Sequence, residues 1–124
     1  MTKKIFKSNI LVAAAVLIFG IACVMAILYQ HFGKQINTEL KKEATYLVYG
    51  VEENGIDYLK QIKEKDDRIT YIAEDGTVLY DSRRDADILK NHGNRKEVRE
   101  ALSKGEGADV RKSETVGKDM YYYA

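Results

Sequence analysis

The 124-residue chain is long enough for one small domain and too short for a multidomain enzyme. Its 20 Lys and Arg balance 19 Asp and Glu, and the net charge of +1 gives no indication of a nucleic-acid partner. The charge is unevenly distributed, because residues 1–33 carry three lysines and no acid, whereas the rest carries 17 basic and 19 acidic side chains. The single cysteine, Cys23, excludes a disulfide framework and a cysteine-based zinc site.

The N-terminal quarter of the chain has the composition of a membrane-spanning helix. Ile10–Leu28 is a nearly unbroken apolar run of 19 residues, and a helix of that length is about 28 Å long, close to the thickness of a bilayer core. Lys3, Lys4 and Lys7 precede it. The positive-inside rule then predicts a cytoplasmic N-terminus over residues 1–9, a transmembrane helix over 10–30 and an extracytoplasmic domain over 31–124.

A cleaved signal peptide has the same basic and apolar regions, and Val24-Met25-Ala26 resembles a cleavage triplet. The run exceeds the ~7–15 apolar residues of a typical signal peptide, and further apolar residues follow the triplet. These features favour an uncleaved anchor. Cys23 is interpreted as a small apolar residue of the span and not as a lipidation site.

Beyond the span, apolar residues recur at steps of three and four, which predicts an amphipathic helix that continues the membrane helix. Its stripe consists of Ile36, Leu40, Ala44, Leu47 and Val51. The pattern leaves open whether this stripe packs on the domain or on a dimer partner. Asn54-Gly55 ends the helix, and Tyr58, Leu59 and Ile62 predict a short second helix.

The pattern then changes to that of strands. Arg68–Ile72 and Thr77–Tyr80 are rich in β-branched and aromatic residues, and Asp75-Gly76 between them predicts a hairpin turn. Asp85 is placed to cap a short helical turn over Ala86–Lys90.

Asn94 and Glu97 have a capping-box spacing that predicts a helix over Arg95–Ser103, closed by Lys104-Gly105. Its predicted inner face consists of Val98, Ala101 and Leu102. Two further strands, Gly107–Thr115 and Met120–Ala124, are joined by a turn at Gly117. The order of elements predicts an α+β domain with an antiparallel sheet. Because the chain stops within an aromatic strand, we expect the domain to be incomplete at its C-terminus.

Three blocks of this sequence resemble the extracytoplasmic sensor regions of bacterial membrane histidine kinases, of the phosphate-regulon sensor type. Residues 68–82 resemble the family segment RxTxIxxDGxVxxDS, and Asn91–Val98 with Ala101-Leu102 resembles the next signature. Arg111-x-Ser-x-Thr-x-Gly-x-x-Met-x-Tyr-x-Ala124 resembles the third. The blocks stand in the family's order and cover residues 68–124. Lys96 departs from the pattern, since the family usually has proline there.

The resemblance implies a PAS-like, single Cache-type domain between two membrane helices. It also implies a following signalling coil, a homodimerisation domain with a phospho-accepting histidine, and a kinase domain that binds ATP and Mg²⁺ and serves a cognate response regulator. None of these later parts lies within the 124 residues, and no catalytic constellation, cofactor motif or metal motif is visible in them.

Four residues are candidates for contact with a ligand or signal. His92 lies in a Gly/Asn loop and titrates near neutrality. Arg95 and Arg111 fall inside the family-like blocks and carry guanidinium groups suited to carboxylates and phosphates. Tyr122 lies on the last predicted strand. Arg83 and Arg84 are further candidates for an anion site. For all four arginines, however, the sequence favours the simpler interpretation of surface pairing with Asp81, Asp85, Glu97 and Asp109.

The leading hypothesis is the sensory front end of a two-component histidine kinase, in which an extracellular cue biases the helix continuous with the membrane span. A complete membrane-anchored binding protein without a kinase is the alternative from another class. A third hypothesis attaches the sensor to a chemoreceptor or a cyclic-dinucleotide enzyme.

Overall fold

The computed structural model describes residues 1–62, 66–113 and 117–124. The chain divides into two compact units, Met1–Gln35 and Ile36–Ala124. Residues 114 and 115 of the predicted strand Gly107–Thr115 lie outside the described residues. Thr115 is also a member of the third family-like block.

The first unit is the N-terminal part of helix α1, whose full extent is Thr2–Asn54. Every residue from Met1 to Phe32 is exposed in the monomer. An 18-residue window of α1 reaches a mean hydropathy of 3.0, and no part of that window is buried. Among the described residues, α1 alone is long and apolar enough to cross a membrane, a property that a signal sequence shares.

The second unit begins with the remainder of α1, which ends where Gly55 adopts a φ of +67°. Helix α2, Asp57–Gln61, follows at once, as the sequence predicts. The ring of Tyr58 lies against Gly50 of α1, and a Cβ at Gly50 would come within 2.1 Å of Tyr58 Cε1. Glycine in this helix interior is therefore explained by the close approach of α2.

Strands β1, Thr70–Ile72, and β2, Val78–Asp81, form the predicted antiparallel hairpin. The turn residue Gly76 has a φ of +87°. The loop that follows β2 contains a single 3₁₀ turn, Ala86–Ile88, which is shorter than the predicted helical turn. Asp85 precedes that turn but makes no side-chain capping bond, so its predicted capping role is wrong.

Helix α3 covers Lys96–Lys104 and ends as predicted, with Gly105 in the left-handed conformation at φ +91°. The predicted capping box is wrong. Arg95 is the N-cap and makes no side-chain cap bond, whereas Glu97 is buried, with only 4% of its surface exposed. The buried residues of α3 are Glu97 and Val98. Val98 is therefore on the inner face as predicted and Ala101 is half-buried, whereas Leu102 is 54% exposed.

Strands β3, Ala108–Lys112, and β4, Asp119–Tyr123, pair antiparallel with Asp109 opposite Tyr122 and Arg111 opposite Met120. Two hydrogen bonds of 2.8 Å between Gly107 and Ala124 extend the ladder. Antiparallel pairing is therefore as predicted, but the described strands form two separate two-stranded sheets, β1–β2 and β3–β4.

The buried apolar side chains of the described residues are few: Leu59, Val78 and Val98. The predicted stripe of α1 is half-buried along its whole length. Ala44, Leu47 and Val51 of the stripe line a groove together with strand residues Tyr71 and Tyr123. Three of the five stripe residues therefore face the strands of the same chain across a groove.

Candidate functional site

The first polar cluster surrounds Asp81 at the end of β2. Its carboxylate has no exposed side-chain surface and accepts hydrogen bonds from Arg68 Nε at 2.8 Å and Thr70 Oγ1 at 2.7 Å. The backbone N–H groups of Arg83 and Arg84 also donate to it, each at 2.9 Å. Burial alone would raise the pKa of Asp81, but these donors outweigh burial and hold the pKa below its usual value.

This arrangement gives the Asp81 cluster a structural role. All five hydrogen bonds to the carboxylate come from the chain itself. Ser82 adds a further tie, because its Oγ accepts from the Ile69 N–H at 2.9 Å. The cluster thus joins the chain before β1 to the chain after β2.

A second cluster joins helix α3 to the β3–β4 sheet. Arg111 Nη2 donates to Glu97 Oε1 at 2.5 Å. The guanidinium carbon of Arg111 lies 3.7 Å from the centroid of the Tyr122 ring, which is a cation–π geometry. The side chain of Glu97 is 6% exposed and that of Arg111 is 36% exposed. The sequence candidates Arg111 and Tyr122 are therefore in direct contact.

The Glu97–Arg111–Tyr122 cluster keeps unused polar atoms. Within the described residues, neither Glu97 Oε2 nor Arg111 Nε has a hydrogen-bond partner, and both atoms are buried. Arg111 Nε lies 3.7 Å from Asp109 Oδ2, which is an ion-pair contact but too long for a hydrogen bond. Unsatisfied buried groups cost about 1–3 kcal/mol each, so a rearrangement or a polar ligand that satisfies them gains free energy.

His92 is buried at 5% exposure, and its Nε2 has no partner among the described residues. Its backbone N–H donates to the Gly76 carbonyl at 2.8 Å, and its carbonyl accepts from the Arg95 N–H at 3.0 Å. Burial lowers the pKa of His92, and the positive charges of Arg95 and Arg68 lower it further. His92 is therefore a neutral loop residue at pH 7.

The remaining arginines are dispersed. Arg83 and Arg84 are exposed, and Arg83 Nη2 donates to the Asp66 carbonyl at 2.6 Å. Arg95 is half-buried at the start of α3. The expected pairing of Arg111 with Glu97 and Asp109 is observed, whereas the carboxylate of Asp81 pairs with the guanidinium of Arg68 and not with that of Arg83 or Arg84.

A third polar cluster ties α1 to the β3–β4 sheet. Tyr123 Oη donates to Glu106 Oε2 at 2.5 Å, and Lys41 Nζ of α1 lies 2.7 Å from the same oxygen. Burial raises the pKa of Tyr123 to about 12, assisted by the hydrogen bond to Glu106 and by the negative charge of that carboxylate. The phenol is therefore a protonated hydrogen-bond donor at any physiological pH.

An apolar groove of about 410 Å³ lies between α1 and both hairpins. Its walls are Ala44, Leu47, Val48, Val51, Glu52, Leu59, Ile69, Thr70, Tyr71, Tyr123 and Ala124. The described ranges contain no group of three or more His, Cys, Asp or Glu side chains placed to hold a metal ion.

The elements define a small α+β sensor module attached to a long N-terminal helix. The Single Cache-like family model matches residues 30–124, and the chain belongs to that family. Domains of this family sense ligands outside the cell in signalling proteins. No curated protein and no solved structure matches the chain.

The sequence predicts two roles for Glu97, a helix cap and a pairing with an arginine, and the structure shows the pairing. The sequence predicts no role for Lys41 and Glu106 of the third cluster. For Glu97 a signal exists, because it precedes Val98 on the face that the apolar residues of α3 bury. No sequence signal exists for Glu106, because its partners Lys41 and Tyr123 lie 65 and 17 residues away in the sequence.

Proposed function

We propose that this chain is the signal-sensing and membrane-anchoring region of a two-component sensor histidine kinase of the phosphate-regulon type. One observation carries the proposal: the Single Cache-like region, residues 30–124, begins inside the same unbroken helix that holds the apolar run. An extracellular sensor domain joined to a spanning helix without a loop is suited to signalling across a membrane. A change in the position of such a helix at its domain end is passed directly to its other end across the membrane.

The orientation follows from charge. Lys3, Lys4 and Lys7 flank the apolar run on the side away from the domain, and the positive-inside rule places that side in the cytoplasm. The domain is then exposed to extracellular signals. His92, Arg95, Arg111 and Tyr122 are the proposed signal contacts, and of these Arg111 and Tyr122 have the strongest support because they touch each other beside unsatisfied polar atoms.

The proposal includes partners beyond these residues. The receptor functions as a homodimer in the bacterial membrane, and its kinase region binds ATP and Mg²⁺ and transfers the phosphoryl group to a response regulator. The sensor region itself has no catalytic residue in this scheme. Its contribution is a shift of the equilibrium between two states of the receptor when the signal binds them unequally.

Phosphorylation of the complete gene product tests the proposal. Membranes from cells that express it are incubated with radiolabelled ATP and Mg²⁺, and we expect a labelled band whose phosphate is lost in acid and retained in alkali. A reading frame after Ala124 that encodes a second apolar span and a His-Glu-x-x-Thr-Pro box supports the same conclusion. Absence of label from a well-expressed product rejects the kinase and favours a binding protein, a chemoreceptor or a cyclic-dinucleotide enzyme.

A further inference from the structure

We propose that strand β4 mechanically couples the Glu97–Arg111–Tyr122 cluster to helix α1, so that rearrangement of the cluster changes how α1 is held. The inference rests on the proposed sensory function and specifies how a signal leaves the site. Its basis is a continuous series of contacts from α3 through the β3–β4 sheet to α1.

The two faces of β4 hold different partners. Tyr122 and Tyr123 are adjacent in the strand, and successive side chains of a strand point to opposite faces. On one face the ring of Tyr122 lies on the Arg111 guanidinium, which pairs with Glu97 of α3. On the other face, Tyr123 donates to Glu106. A displacement of β4 therefore affects both sets of contacts.

Glu106 carries the connection to α1. Its Oε2 accepts from Tyr123 Oη at 2.5 Å and lies 2.7 Å from Lys41 Nζ. The side chains of Lys41 and Glu106 are 55% and 52% exposed, and exposed ion pairs contribute little to stability. This ion pair therefore positions α1 against the segment before β3 and adds little to stability. It can be broken and remade without unfolding the domain.

A second connection runs through the backbone beside Glu106. Gly107 exchanges two hydrogen bonds with Ala124 at the end of β4. It also lies so close to α3 that a Cβ on it would come within 2.2 Å of the Glu97 carbonyl oxygen. Residues 106 and 107 thus contact α3 on one side and α1 on the other, which ties both helices to the same two-residue segment.

Distance measurements on the whole chain in lipid nanodiscs test the coupling. Spin labels are attached to Tyr46→Cys on α1 and Leu102→Cys on α3, two exposed positions, in a Cys23→Ser background. Arg111→Met removes the stacked cation, and we expect the label distance to shift by about 1–2 Å, as in helix shifts of known switches. In a chain that also carries Lys41→Met, which breaks the ion pair through which both connections reach α1, the Arg111→Met shift should disappear.

Arg99→Met is the matched control, because Arg99 is an exposed arginine on α3, the helix that carries the Leu102 label, and the label distance should stay unchanged. Circular dichroism verifies folding, and Arg111→Gln, which also removes the cation, replaces Arg111→Met if the latter does not fold. An unchanged distance in the folded Arg111 variant, or an equal shift with Lys41→Met present, overturns the coupling. The measurement needs no kinase, so its failure leaves the proposed function standing, and absence of phosphorylation leaves the coupling standing.

Discussion

Arg111 and Tyr122 lie on neighbouring strands without being direct partners, since Arg111 is opposite Met120 and Tyr122 is opposite Asp109. Their contact is diagonal across the β3–β4 ladder, with 3.7 Å between the guanidinium carbon and the ring centroid. Diagonal neighbours on one face of a sheet are within reach of long and aromatic side chains. The tyrosine ring thereby covers one side of the guanidinium while Glu97 neutralises its charge.

Tyr122→Leu should destabilise the domain by about 0.5–2 kcal/mol, because leucine retains apolar contact but loses the cation–π interaction. Tyr122→Phe keeps the aromatic face and should behave like the unmodified chain. Urea unfolding of the full chain in detergent micelles measures both variants. Equal losses for leucine and phenylalanine would show that the hydroxyl group, and not the ring, is what matters.

Glu97→Gln should cost about 1–3 kcal/mol, since it leaves the Arg111 guanidinium without its counter-charge in a half-buried place. The loss is kept below that of a fully buried pair because water reaches part of Arg111. In the Glu97→Gln, Arg111→Met double variant the two losses should not add. Thermal unfolding of the four chains measures this, and additive losses would contradict an energetic link between the two side chains.

Gly76→Ala should cost more than ~1 kcal/mol and more than Gly105→Ala. Both glycines have left-handed backbones, with φ of +87° and +91°, so both substitutions cost backbone strain. Only at Gly76 would the new Cβ meet neighbours, Asn91 Oδ1 at 2.3 Å and Gly93 N at 2.5 Å, whereas nothing lies within 4 Å at Gly105. Melting temperatures compare the pair, and equal losses would show that the loop yields to the added carbon.

The stability of the domain should fall as the pH drops below about 6.5, the usual pKa of histidine. The folded-state pKa of His92 is lowered by burial and by the positive charges of Arg95 and Arg68. The unfolded chain therefore binds the proton more readily, and acidification stabilises the unfolded state relative to the folded state. The contribution of neutral His92 to the free energy of unfolding is complete above pH 6.5. It is lost as the pH falls from 6.5 to the lowered pKa of His92 in the folded state. Unfolding free energies between pH 7.5 and pH 5 measure this slope.

His92→Asn is the variant that separates His92 from the carboxylates. The lowered pKa values of Asp75, Asp81 and Glu106 act on stability only below about pH 5. Between pH 7.5 and 5 the His92→Asn chain should therefore lose most of the slope. An identical slope in both chains would show that another group binds the proton.

Protease treatment of intact cells should remove residues 68–124 and leave a membrane-bound N-terminal stub that includes Lys3 and Lys7. The expectation follows from the apolar run and its basic flank. Immunoblotting with a tag at the N-terminus and a second tag after Ala124 reports both ends. Recovery of a soluble form that begins near Ile27 would show that the run is a cleaved signal peptide.

Local patterns in the sequence predict most of the elements. The Asp75-Gly76 hairpin, the end of α1 at Asn54 and the Gly105 stop of α3 are fixed by backbone geometry that a few neighbouring residues determine. The capping role of Asn94 and Glu97 failed because a long-range ion pair with Arg111 gives Glu97 a better use than a local cap. Contacts between residues distant in sequence are invisible to local pattern analysis.

The contact between Gly50 and Tyr58 limits the motions that are open to α1. If α1 turned about its own axis by one residue, Tyr49 or Val51 would replace Gly50 beneath the Tyr58 ring, and their side chains would collide with it. The phenol ring thus opposes rotation of α1 about its own axis. The motions of this part of α1 that the contact leaves open are those that keep Gly50 beneath the ring, such as a tilt of the helix about this point.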